Sequence, residues 1–218
     1  MFPPDILFNA LSPFLPEFSQ TVIAFVTGLS AERKQERFRE FIEFLERDLK
    51  ALETKIETEY VSNDQFLDLF EFTSRKVVSE RDEQKRLYYQ RIFVSGIVQQ
   101  GAIYDDVEQC IRIIDSLVDR DIVLLKLFAD PAAHYAKSVA HTSNNSVTLT
   151  TTLSRVLQKM LPEWQPGAIL ECVKDLEFIG LLQPISDSFQ TMVTNLDPAS
   201  LEYYLTLKGQ RLIRYLRL

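Results

Sequence analysis

Apolar residues recur at Leu11, Leu15, Phe18, Val22, Phe25 or Val26, and Leu29, in steps of three and four that mark one face of a helix. After Gly28 and Ser30 the period resumes with Phe38, Phe41, Leu45, Leu49, Leu52 and Ile56. This second stripe runs through a charged segment, 31–60, whose pairs Glu43–Arg47 and Glu46–Lys50 have the favourable order for helix support. A helix of about 30 residues would span ~45 Å, too long for the core of a compact monomer. The near-3.5 spacing suits a paired or bundled helix. An apolar stripe of this length must be covered, so Leu11, Leu15, Phe18, Val22, Phe38, Phe41, Leu45, Leu49, Leu52 and Ile56 form an expected self-association face in a homo-oligomer. Core and interhelix packing is the competing reading of the same phenylalanines.

Helical signals continue through the front of the chain. Ser62 and Gln65 have the spacing of a capping box, followed by Phe66, Leu69, Phe70 and Thr73 on one face. Glu80, Asp82 and Glu83 place acids where a helix dipole favours them, before a run through Leu87, Tyr88, Ile92, Phe93 and Ile97 to Gly101. Asp105, Asp106 and Glu108 open another helix, through Ile111, Ile114 and Leu117. No proline occurs from Glu17 to Asp130, and only Gly28, Gly96 and Gly101 interrupt, which favours long helices.

After Pro131 the pattern changes. Residues 142–146 form a polar loop, and hydroxyl side chains crowd 148–154. Asp119 is placed to cap a helix through Ile122 and Phe128, a second helix runs from Leu153 to Leu161, and Pro166 can open a third that ends at Gly180. Residues 181–185 and 203–206 are short strand candidates, and a last helix covers 207–217. The expected division is an all-helical domain, 1–116, and a second domain, 117–218.

The segments Leu176–Leu182, Tyr203–Gly209 and Leu212–Leu216 resemble winged-helix domains, in which a recognition helix ends at a glycine before the first wing strand and the second strand leads into Leu-Thr-x-x-Gly. The 24 residues between the first two helices exceed what that family usually needs. In layout, a helical front before a winged-helix end, the chain is also similar to bacterial helical proteins of the abortive-infection alpha type, which would imply a bacterial protein with a role in phage defence. The fold class expected is mainly α, with long bundled helices in front and a winged-helix-like domain with a small hairpin behind.

The first resemblance implies a transcription regulator, but charge argues otherwise. From Gln165 to Leu205 there is one basic residue, Lys174, against six acids: Glu171, Asp175, Glu177, Asp187, Asp197 and Glu202. Such a face offers no counterion release on a duplex and would be repelled by it. Lys208, Arg211 and Arg214 lie on one face of the last helix. They can offset the helix dipole, meet an acidic protein surface, or hold phosphates.

Over 218 residues the net charge is −7, with 46% hydrophobic and 25% charged residues, a globular composition without bulk attraction for nucleic acid or anionic lipid. The first 31 residues contain no Lys or Arg, so a signal peptide's basic region is missing and a cytoplasmic location with reduced Cys110 and Cys172 is expected. The apolar stretch 18–29 is too short and too polar for a membrane span. Phosphate-loop, dinucleotide, nucleophile-elbow and zinc motifs are all lacking. His134 and His141 lack a third metal ligand, and Asp115, Asp119 and Asp121 lack the glycine and distal glutamate of a calcium loop. The expectation is therefore a non-enzymatic protein-interaction protein with no cofactor, no metal and no catalytic residues. The alternative is a winged-helix DNA-binding regulator.

Overall fold

The computed structural model describes residues 25, 27–29, 31–51, 64–98, 103–133, 150–194 and 198–216. The chain is mainly helical and divides into two compact units, the first comprising 1–116 with 215–218, the second 117–214. Among the described residues, no helix is long and apolar enough to cross a membrane.

The described part of the first unit includes the helices α1 (Glu32–Ala51), α2 (Asp64–Ser79), α3 (Glu83–Val98) and α4 (Tyr104–Ser116). The expected 31–60 helix is described only as far as Ala51, which gives α1 its 20 residues and a length of about 30 Å. Asp82 caps α3, its Oδ1 accepting from the Lys85 amide at 2.7 Å. Helix α3 is enclosed on almost every side, from Tyr88 to Ile97, and packs on each of the other three. Gly96 permits the closest approach, since a Cβ there would sit 2.7 Å from the Val107 side chain of α4.

The core of this unit is aromatic. Phe38 and Phe41 of α1, Phe66 and Phe70 of α2, and Phe93 of α3 are at most 1% exposed. Phe41 and Phe70 stack at 5.9 Å between centroids, and Phe93 meets Phe41, Phe66 and Phe70 at 6.1, 5.6 and 6.1 Å. Phe25 adds a ring 5.0 Å from Phe38. Arg37 donates to the Val78 carbonyl at 3.0 Å, placing a cation at the C-terminal end of α2.

The second unit begins with α5 (Asp119–Ala129). Its capping carboxylate is Asp121, which accepts from the Val118 amide at 3.0 Å, and not Asp119, which is exposed. Strand β1 (Thr150–Thr152) leads directly into α6 (Leu153–Met160), with Thr152 Oγ1 accepting from the Arg155 amide. Gln158 Nε2 donates to the Trp164 carbonyl at 2.6 Å, fixing the turn after α6. Helix α7 (Pro166–Phe178) starts with Pro166 in its first turn. A 3-10 turn at 186–188, strand β2 (Met192–Thr194) and a 3-10 segment at 198–204 precede α8 (Leu207–Leu216).

The strands differ from the expectation. Strand β1 pairs antiparallel with β2, in the register Thr150 with Thr194 and Thr152 with Met192. The hairpin expected from 181–185 and 203–206 is reduced to a single antiparallel bridge, Leu182 with Leu205. Pro184 has no amide to extend that ladder, and residues up to Tyr204 are wound into the 3-10 segment.

Candidate functional site

The most distinctive surface lies in the second unit, where α7 ends and α8 begins. Gly180 adopts φ +79°, the left-handed conformation that glycine takes without steric cost. Its amide bonds to the Glu177 carbonyl at 2.8 Å and that of Leu181 bonds to Leu176 at 2.8 Å, a Schellman closure of α7. Leu176 and Leu181 are fully buried beneath this turn. Glu177 Oε1 then accepts from the amides of Ile185 and Ser186, the latter at 2.6 Å, so this acid shapes the next loop.

Leu-Thr-x-x-Gly has a physical meaning here. Thr206 Oγ1 accepts from the Gly209 amide at 3.1 Å, capping α8, and donates to the Gly180 carbonyl at 2.7 Å. Its own amide bonds to the Leu181 carbonyl at 3.0 Å. Gly209 lies so near the backbone after Gly180 that a Cβ would stand 2.3 Å from the Leu181 oxygen. Lys208 Nζ donates to the Ile179 carbonyl at 2.6 Å, so it closes the C-terminal end of α7.

Around this corner three large apolar side chains face solvent: Phe178 at 93%, Leu207 at 81% and Tyr203 at 73% exposure. Gln183 Nε2 donates to the Tyr203 backbone carbonyl at 3.0 Å. Sequence reasoning passed over Phe178, although the signal exists: it lies two positions beyond Leu176, off the buried stripe of Ile169, Val173 and Leu176. Exposed Glu171, Lys174 and Asp175 share the solvent side of α7 with it.

The residues singled out by sequence fall in several places. Phe38, Phe41 and Leu45 are 0% exposed within the first unit, where α2 and α3 cover their side of α1, leaving no surface at those three positions for a second copy. Of Leu49 only the backbone, within α1, is described, and Leu11, Leu15, Phe18, Val22, Leu52 and Ile56 lie outside the described residues. Lys208 is half-buried and occupied by Ile179, whereas Arg211 and Arg214 are exposed on α8. His134 and His141 also lie outside the described residues, and Ser62 with them.

Titratable groups meet at one place in the first unit. Asp115 accepts from Lys76 Nζ at 2.5 Å and from the Tyr89 hydroxyl at 3.0 Å, while Lys85 Nζ reaches its backbone carbonyl at 3.2 Å. Burial alone would raise the Asp115 carboxyl, but the Lys76 and Tyr89 hydrogen bonds and the two lysine charges outweigh it and hold the group below its ordinary value. Burial, together with Asp115 and Glu80, pushes the Tyr89 hydroxyl far up. These groups satisfy one another and tie α2, α3 and α4 together. In the second unit, burial and the neighbouring Asp121 carboxylate push the Cys172 thiol up to about 12, the opposite of an activated nucleophile. Among the described residues, no three His, Cys, Asp or Glu side chains gather to hold a metal ion.

No family model, curated protein or solved structure matches the chain.

Proposed function

We propose that this chain is a non-catalytic interaction protein whose second unit is a winged-helix-like module that engages a protein partner. The observation that carries the reading is the exposed trio Phe178, Leu207 and Tyr203, presented on a corner whose backbone bonds are internally satisfied. Aromatic and aliphatic side chains left in water on a rigid scaffold are the anchors of protein interfaces. The order α5, β1, α6, α7, glycine turn and α8 supports the winged-helix assignment. Exposed Glu171 and Asp175 on α7 favour a protein over a duplex as its partner. Self-association through Phe38, Phe41 and Leu45 is not part of this proposal, because those side chains serve the core.

Incorporating the photo-crosslinker benzoylphenylalanine at position 178 in the native host tests the reading. The expected result is an adduct with one defined protein, lost when Tyr203→Ser and Leu207→Ser are combined, and absent with the crosslinker at Arg33. The DNA alternative is read by anisotropy on a random duplex. Low-micromolar affinity with a steep salt slope there would overturn the protein-docking proposal.

A further inference from the structure

The corner that carries Phe178, Tyr203 and Leu207 stands between two helical arms of opposite charge, all within the second unit. Phe178 is the last residue of α7 and Leu207 the first of α8, and the Lys208 bond to the Ile179 carbonyl ties these two helix ends together. Back along α7, exposed Glu171 and Asp175 outnumber exposed Lys174, and exposed Glu202 adds an acid beside Tyr203. Helix α8 contains no acid, and Arg211 and Arg214 are exposed along it. Glu171 lies two turns before Phe178, and Arg214 lies two turns after Leu207. Each charge therefore stands about 10 Å along its helix from the apolar corner, on the corner residue's own side.

A surface with an apolar centre, an acidic flank and a basic flank is complementary to itself. A two-fold axis passing between α7 and α8 at the corner lays the α7 of each copy along the α8 of the other. Glu171 and Asp175 then meet the arginines of the second copy, and the three apolar side chains close on their counterparts. A partner of single charge would be attracted by one arm and repelled by the other. Covering Phe178 and Tyr203 removes about 150–250 Å² each from water, and Leu207 adds to that. With the charged arms the contact reaches roughly 600 Å² per copy, the lower edge of the range for specific pairs.

We propose that the partner docked at this corner is a second copy of the chain, paired about a two-fold axis with each α7 against the opposite α8. The pairing rests on the reading of the corner as a docking surface and names its occupant. It uses a different face from Phe38, Phe41 and Leu45, whose side chains are enclosed in the first unit.

The test is sedimentation equilibrium of the full chain over about 5–500 µM, a range suited to a contact of this size. The expected result is a mean mass that rises from one chain toward two. Phe178→Ser, Arg211→Glu with Arg214→Glu, and Glu171→Arg with Asp175→Arg all change exposed side chains. Each is expected to weaken pairing at least about tenfold, and an equimolar mixture of the two charge-reversed chains is expected to pair again. Lys174→Glu makes the α7 arm wholly acidic and is expected to tighten pairing severalfold. A single-chain mass at every concentration, native pairing in Phe178→Ser, or no recovery in the mixture overturns the proposal. Benzoylphenylalanine at position 178 separates this failure from a wider one. An adduct with a different protein, from a chain that stays single, overturns the pairing and leaves the corner a docking surface. No adduct of either kind overturns both.

Discussion

Five phenylalanine rings from three helices interlock in the first unit, whereas the second has one ring pair among its described residues, Phe128 with Tyr204 at 6.3 Å. What the second unit has instead is chain-end chemistry: a Schellman turn at Gly180, a threonine cap at Thr206, a lysine on the last carbonyls of α7, and a glycine pressed against a backbone oxygen. Charge separates them as well. Residues 1–116 hold 14 Lys and Arg against 21 Asp and Glu, while 117–218 hold 10 of each. Stability in the first unit resides in side-chain volume. The second unit buries a largely aliphatic core of its own, with Leu125, Leu157, Val173 and Leu176 fully enclosed, and adds these capped chain ends to it.

The comparison can be broken most forcefully at Phe93. Phe93→Ala is expected to destabilise the first unit by about 3–5 kcal/mol in urea unfolding, because three neighbouring rings lose their partner. A loss under about 1 kcal/mol would mean that the ring cluster is not where stability resides. A paired glycine test comes next. Gly209→Ala forces a methyl onto the Leu181 oxygen and is expected to cost about 1–3 kcal/mol. Gly96→Ala presses on the Val107 methyls, side-chain and not backbone atoms, and a gain of up to ~1 kcal/mol in helix propensity offsets part of that cost. The expected outcome is a clear gap between the two in unfolding midpoint; equal costs would erase the distinction.

Thr206→Ala removes the α8 cap and is expected to cost about 1 kcal/mol, with Thr206→Ser recovering most of it. The smallest effect is on pH. Asp115 titrates below its ordinary value when folded, so its contribution is complete above about pH 4 and is lost as pH falls through the native value. Tyr89 is raised, so its contribution is complete below about pH 10 and is lost as pH rises, when only the unfolded tyrosine ionises. Asp115→Asn should flatten the acid limb of the stability profile and Tyr89→Phe the alkaline limb. Unchanged limbs would remove the Lys76–Asp115–Tyr89 junction from the first unit's account.

Much of this was legible because a helix writes its buried face at a period near 3.6. Leu153–Met160, Pro166–Phe178 and Leu207–Leu216 follow that period closely, and Pro166 and Gly180 mark the ends of α7 through sterics alone. The cap of α5 was harder, since Asp119 and Asp121 both suit a first turn and only backbone direction selects Asp121. The strands were misplaced for a different reason. The apolar residues at 181, 182 and 205 have the look of two short facing strands, while Thr150–Thr152 hid in a hydroxyl-rich run despite the β preference of threonine. At the sites, Phe178 could have been found by its phase.

The chain's two cysteines, Cys110 and Cys172, are both buried and unbridged, and one belongs to each unit. Each is therefore a natural tracer of its own unit's opening. Pulse alkylation with peptide mass mapping can time the exposure of the two thiols separately in an unmodified chain. The raised thiol of Cys172 keeps its native background low, so that its labelling clock runs only when the second unit opens.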